Sequence, residues 1–433
     1  MSRSRLLVFF ALLAMTSRCT GQECQEVSRW RKLREHMNFN LQALIFGTES
    51  RVIQTSLLNP ENQLALIPAA DGTLELRPNI RWSQGRFTVI AKPRLAGTIN
   101  GGGAQSDSTD IFMQEWAVRV APVRGFTLSY GREVLQWGPS MSISPSNPFF
   151  VANGRDNPVK EIGGADFLRA IYSPNSKYSV SYLWNTAAGR SQPGVGPFRK
   201  IQALKVDYTP RSASASFIVS KKDGAPPRFG GFFQITTSNA LLLYAEVSLH
   251  SGSEALYAYQ DAGGGIWQMA GLKNGFDHVY STSVWGGAYT LASGATLTAE
   301  YIVNRDGYSN LEASRYFQLG EESSQLLMSR ASQSGTAAET LTAALNPGLL
   351  LLRRNYFFFQ FLRTNYRQRA DLMVRYRANT DDRSGTLAAY ATINCTDRIQ
   401  FFVLGMVNQG GTRTEAGRLL RHQAMTGIRF FLK

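Results

Sequence analysis

After its first segment, the sequence contains no apolar run as long as the ~18 residues a membrane-crossing helix needs. That excludes a helical membrane protein. Histidine is scarce: His36, His250, His278 and His422 are the only four, and no two stand at a metal-site spacing. No GxSxG nucleophile motif occurs. Gly101-Gly102-Gly103 and Gly263-Gly264-Gly265 read as loop tips rather than phosphate cradles. Ser248 and His250 share one strand face, two residues apart, which alone makes a weak case for a Ser-His pair. The reading is therefore not an enzyme, with no cofactor and no metal.

Cysteine is scarce too, with Cys19, Cys24 and Cys395 in 433 residues. Residues 1–21 read as a signal peptide: Arg3 and Arg5 supply the positive start, Leu6 to Met15 the apolar stretch, and small residues follow. Arg18 before Cys19 is a poor fit to a lipoprotein site. Cleavage near Gly21 leaves Cys24 and Cys395 in an oxidising compartment. Cys24 precedes the barrel and Cys395 sits in a short turn at Asn394–Asp397. A Cys24–Cys395 bridge is one expectation, and two free thiols the other.

Acidic residues are the minority charge, 31 against 46 Lys and Arg. Losing Arg3, Arg5 and Arg18 lowers the net charge only from +15 to +12. Basic chains commonly bind nucleic acid or anionic lipid. An exported strand-rich chain excludes nucleic acid, so the question becomes which way the cations face.

What the sequence has in abundance is alternation of period two. In 73–82, Leu74, Leu76, Pro78, Ile80 and Trp82 share one face and Glu75, Arg77, Asn79 and Arg81 the other. In 86–95, Phe87, Val89, Ala91 and Leu95 oppose Arg86, Thr88, Lys92 and Arg94. In 110–121, Phe112, Trp116, Val118 and Val120 oppose Glu115 and Arg119. The segments 241–250 and 295–304 repeat the pattern, with Glu246 and Glu300 on polar faces. Segments of ~10 residues with alternating polarity are the signature of a transmembrane barrel.

The connections alternate as well. Short ones fall near 83–85, 122–125, 174–177, 210–213, 239, 294, 364–369 and 396–397. Longer ones fall at 49–72, 100–109, 139–162, 189–199, 251–278, 306–350 and 409–420, with 224–228 and 382–385 short for their side. Leu326–Ala331 and Ala337–Leu345 in the longest loop read as helix formers. The fold expected is all-β: a transmembrane antiparallel β-barrel of about 18 strands, or 16, over 38–433. Residues 22–37 form a periplasmic lead. The final strand, Arg421 to Leu432, closes on the first, near 38–48, and removes both edges. Outer-membrane lipid is the surrounding partner and a monomer the expected state.

Polar faces turned inward place Arg77, Arg81, Arg86, Lys92, Arg94, Arg119, Arg375, Arg377, Arg421 and Arg429 in the lumen, with Arg169, Lys205 and Arg354. Fewer acids face the same way. Because the end strands are neighbours, the Arg77–Arg119 group and the C-terminal arginines form one basic wall. Rings of Arg and Lys favour anions, and Arg binds carboxylate or phosphate in a bidentate manner. The alternative for any single Arg is an ion pair that merely stiffens the wall. Loop 139–162, with Pro145, Pro148 and Pro158, is long and restricted. Such a loop is a candidate to fold inward and narrow the pore.

The segment GREVLQWGPSMSISPSNPFF resembles a motif of outer-membrane barrels of the alginate-export and capsule or exopolysaccharide-export type. Gly131-Arg132, Trp137-Gly138 and Ser146-Asn147-Pro148-Phe149 carry the resemblance, Pro145 lies in the same loop, and EYIVNRDGYS at 300–309 is similar to a stretch of such chains. The resemblance covers about a quarter of the chain. It implies an 18-strand barrel exporting an anionic polysaccharide, with a periplasmic export protein delivering the polymer. The alternatives that the residues support are a passive porin for small anions and a surface polysaccharide-binding barrel.

Overall fold

The computed structural model describes residues 35–101, 105–191, 197–260, 265–273, 275, 277–329 and 333–432. The expected signal segment, most of the expected lead and Cys24 lie outside them, so the expected Cys24–Cys395 bridge does too. Cys395 is exposed.

The strands are β1 (Met37–Val52), β2 (Ala70–Gln84), β3 (Phe87–Gly101), β4 (Ser108–Val123), β5 (Phe126–Glu133), β6 (Ala165–Tyr172) and β7 (Tyr178–Ala187). They continue with β8 (Ile201–Tyr208), β9 (Ala213–Lys222), β10 (Pro227–Thr236), β11 (Leu241–Ser251), β12 (Tyr257–Tyr259), β13 (Gln268–Ala270), β14 (Val279–Thr290) and β15 (Ala295–Asn304). The last are β16 (Asn355–Tyr366), β17 (Ala370–Asn379), β18 (Ser384–Thr396), β19 (Ile399–Gln409) and β20 (Leu420–Leu432). All but β12 and β13 form one 18-stranded antiparallel sheet, and those two make a small hairpin in a loop. The sheet closes where β1 pairs with β20, from Leu41↔Leu432 to Val52↔Leu420. Closure leaves no edge with unpaired backbone groups, which a lipid-embedded sheet requires.

Burial follows the inverse of a soluble sheet. On β16, Phe357 and Phe359 are 56% and 53% exposed, while Tyr356, Phe358 and Gln360 are buried. The apolar face therefore meets lipid and the polar face meets the lumen. An Arg at Phe359 puts a charge against hydrocarbon. Phe359→Arg should cost about 2–4 kcal/mol in a urea titration of the barrel in vesicles. A variant as stable as the parent would mean that this face is not a lipid face.

One face assignment is inverted. The alternation places Phe112 outward, but a β-bulge in β4 shifts the register between Lys92↔Glu115 and Pro93↔Met113. One extra residue, Gln114, flips everything before it to the other face. Phe112 thus lies opposite the lumen-facing Arg94, and the Arg190 guanidinium sits 3.5 Å from its ring centre.

The long loops build a cap over one mouth. Its helices are α1 (Asn310–Met328) and α2 (Ser334–Leu345). The first begins well before the helix-forming stretch read at Leu326. Its start is a capping box: Ser309 Oγ accepts from the Glu312 N–H, and the Glu312 carboxylate accepts from the Ser309 N–H at 2.8 Å. Leu58, Tyr257, Trp267, Tyr308, Tyr316, Phe317 and Leu341 bury one another beneath the helices.

Candidate functional site

Loop 134–164, between β5 and β6, runs into the barrel. Its sequence Ser140-Met141-Ser142-Ile143-Ser144-Pro145-Ser146 places a serine at every second position, so in extended backbone the hydroxyls share a side. Two buried wall carboxylates receive them. Glu300 on β15 accepts from the Met141 N–H (2.5 Å), the Ser142 N–H (3.1 Å), the hydroxyls of Ser140 (3.2 Å) and Ser142 (2.5 Å), and Tyr244 Oη (2.7 Å). Glu246 on β11 accepts from Ser144 Oγ (2.7 Å), Ser146 Oγ (2.7 Å) and the Ser146 N–H (3.1 Å). Gly138 passes so close that a Cβ would lie 2.4 Å from the Glu246 carboxylate, and its φ is +90°. Only glycine fits there.

The next turn is set by Asn147, which is fully buried. Its amide donates to the Leu135 carbonyl (2.8 Å) and its oxygen accepts from the N–H groups of Phe149 and Phe150 (3.0 and 3.1 Å). This side-chain turn, with Pro148 inside it, aims both rings at Phe167. Trp137 meets Phe149 edge to face. Arg228 on β10 holds the Pro145 carbonyl at 2.7 Å. Trp137, Pro145, Asn147 and Pro148 are thus brought together against β6–β11. Arg132 does not join them. It lies opposite Trp116 and Asp166 on the outward face of β5, with an ion pair of 2.7 Å to Asp166. Gly131 is explained by close approach, since a Cβ there would lie 2.0 Å from the Trp116 carbonyl oxygen.

The loop returns across the lumen. Arg155 donates to the Ser140 carbonyl (2.7 Å), and its own carbonyl accepts from Arg375 on β17. Val159 is fully buried among Leu44, Phe46, Phe402, Leu404 and Met425 of β1, β19 and β20. Its carbonyl accepts from Arg77 (2.9 Å). Glu161 makes two hydrogen bonds with Arg94, at 2.6 and 2.8 Å. The segment is fastened to the wall on every side.

Most lumen cations are paired. Arg77 bonds Glu75 (2.7 Å), Lys92 bonds Glu115 (2.6 Å), and Arg119 and Arg169 share Glu133 (2.7 and 3.2 Å). Arg375 bonds Gln360 (2.8 Å) and lies 3.7 Å from Asp156. The acids from the loop, Asp156 and Glu161, add to those on the wall. Arg377 and Arg429 face inward without an ion pair among the described residues, as does the exposed Arg421, and Arg429 donates to Gln400 (2.8 Å). The basic wall is continuous in part: only β1 separates Arg77 on β2 from Arg429 on β20. Arg81 and Arg86 stand exposed at the short-turn rim rather than along the lumen, because β2 ends there and β3 begins.

Two spaces flank the loop, and a third lies by the cap on the far wall. A cavity of about 550 Å³ on the mouth side is lined by Ile143, Arg199, Lys222, Arg228, His250 and Asp306. One of about 320 Å³ below it holds Arg119, Arg169, Lys205, Glu133 and Trp137, and one of about 260 Å³ holds Arg377, Arg418 and Glu415.

The cap has its own electrostatic latch. Burial pushes the Glu312 carboxyl up, but Lys273 and the Ser309 N–H outweigh it and hold the group below the usual carboxylate range. A depressed carboxyl contributes stability above its unfolded-state value, ~4, and loses it as pH falls through the folded value. Relative to the intrinsic rates, hydrogen exchange of the α1 amides should therefore quicken below about pH 4 more in the parent than in Glu312→Gln. Equal acceleration in both would remove Glu312 from the latch.

No protein-family model and no curated protein matches the sequence. Among solved structures, the chain is similar to the outer membrane protein OprD of Pseudomonas aeruginosa, with TM-score 0.53 and 10% identity over 91% of this chain and 94% of that one. It is also similar to OccK7 (OpdD) of that organism, with TM-score 0.54 and 7% identity over 92% and 98%. A third is OccK11 (OpdR), with TM-score 0.51 and 11% identity over 92% and 96%. At these identities the likeness establishes the fold. The chain is a closed 18-stranded β-barrel of the outer-membrane porin type, and among the described residues no helix is long and apolar enough to cross a membrane.

Proposed function

We propose that this barrel is a passive outer-membrane channel for small anionic solutes. The observation that carries the reading is loop 134–164, fastened across the lumen with cation-lined spaces of about 320 and 550 Å³ beside it. Spaces of that size suit a small organic anion. An exporter of an anionic polysaccharide, as the motif resemblance implies, needs an open continuous path. The bonded loop does not favour one, and no feature of the described residues calls for a periplasmic delivery partner. Most lumen arginines being paired, the selectivity falls to the cations without carboxylate partners.

In a planar bilayer under a salt gradient, the parent should show an anion-selective reversal potential. Arg377→Gln with Arg421→Gln and Arg429→Gln should move it toward zero, since rings of cations set the preference. A cation-selective parent, or a triple variant with an unchanged potential, would refute the reading. Passage of an acidic polysaccharide through the purified barrel would restore the export reading.

A further inference from the structure

The two ends of the barrel carry unlike charge. The loops at the capped end, between the strands, hold 14 Lys and Arg against 16 Asp and Glu. The eight short turns of the other end hold seven cations, Arg86, Arg124, Lys177, Arg211, Arg367, Arg369 and Arg398, against one acid, Asp397. All seven are exposed, and none forms an ion pair among the described residues. A short-turn end faces the periplasm.

These cations adjoin outward aromatics. Arg86 precedes Phe87, Lys177 precedes Tyr178, and Tyr366 precedes Arg367. Tyr178 stacks on Tyr208, just before Arg211. The guanidinium groups of Arg363 and Arg367 lie 5.9 and 5.4 Å from the Tyr366 ring centre. Aromatic rings mark the hydrocarbon boundary, so the cations lie just beyond it. Turns of two to five residues project no further than the headgroup layer, roughly 5–8 Å thick on each side.

We propose that this rim is a docking ring for anionic glycerophospholipid headgroups of the inner leaflet. The phosphates neutralise turn cations that have no carboxylate of their own, and the adjoining rings hold the acyl boundary. A polyanion of the cell wall or an acidic protein would have to reach into the headgroup layer to meet the same groups.

The test uses the full chain in mixed phosphatidylcholine–phosphatidylglycerol vesicles. The barrel is recovered in mild detergent and its retained lipid is quantified by mass spectrometry. Phosphatidylglycerol should be enriched about two-fold or more over the vesicle ratio, since each basic residue near a membrane surface adds appreciable attraction. High salt should abolish the enrichment. The variant K177S/R211S/R367S/R369S should return to the vesicle ratio, with folding checked by heat-dependent gel mobility. R315S/R413S, on the opposite end, should keep the enrichment. Retention at the vesicle ratio in the parent, or equal retention in parent and ring variant, would overturn the proposal. So would equal loss in both variants. Co-sedimentation with purified peptidoglycan, without lipid enrichment, would overturn it in favour of a cell-wall partner.

Discussion

Replacing both Glu246 and Glu300 by alanine should raise the single-channel conductance several-fold. Between them these carboxylates accept seven hydrogen bonds from the loop, and Tyr244 adds one more to Glu300. A hydrogen bond to a charged group contributes about 1.5–3 kcal/mol net. Removing both acceptors also leaves buried donors without partners, which costs more than the bonds themselves. The loop half from Ser140 to Ser146 then has stronger reason to hydrate than to stay against the wall. The barrel should survive, because the ladders of β10–β11 and β14–β15 run through the backbone. Glutamine is a poor rescue, since its amide nitrogen would face N–H and O–H donors. A correctly folded double variant with parental conductance would show that the serine run does not set the constriction.

The second large effect is expected at the far end of the same loop. Arg94 is 2% exposed and donates to Glu161, Asn79 and the carbonyls of Pro78 and Pro93. Only Arg94 of this pair is buried, while the Glu161 side chain is 34% exposed, so truncating the arginine removes its charge-assisted hydrogen bonds without burying a lone carboxylate, at a cost of about 1.5–3 kcal/mol. Arg94→Ala should lower the unfolding free energy measured in urea by that amount and loosen residues 159–162. Arg77, 4.0 Å from Glu161, lies too far to replace it. Arg94→Ala with Glu161→Ala should recover part of the loss, because the carboxylate is then not held at the wall without its cation. A double variant weaker than the single would mean that the arginine acts through its carbonyl contacts alone.

The wall was legible in the sequence because a barrel strand needs only a period of two. Leu74, Val89, Leu249 and Tyr301 point outward as their alternation says. The closing strand was legible for the same reason, and the loop order gave the 18 strands. The alternation failed at Phe112, where a bulge adds one residue without a local signal. It also said nothing of what inward groups do. Glu246 and Glu300 were placed on the correct face, yet their role depends on a loop about a hundred or more residues earlier. The signal was present in the i, i+2 serines at 140–146, which have no reason to alternate in a free loop. The cations were overcounted as available because Asp156 and Glu161 lie in that loop, and its path is a tertiary fact. Helix α1 was missed at its start, although Ser309 and Glu312 spell a capping box.

The inward loop also fixes an order of events. It lies wholly in the first half of the chain, but its hydrogen-bonding and packing partners stand on β11, β15, β17, β19 and β20. Contacts of such sequence separation form late, after the intervening chain has been arranged. During assembly the loop cannot settle until the wall it crosses exists, and Val159 finds its full pocket only when β20 has met β1. The constriction is therefore the last part of the molecule to form. Each new barrel passes through a moment when it is closed on itself as a cylinder and still open as a hole.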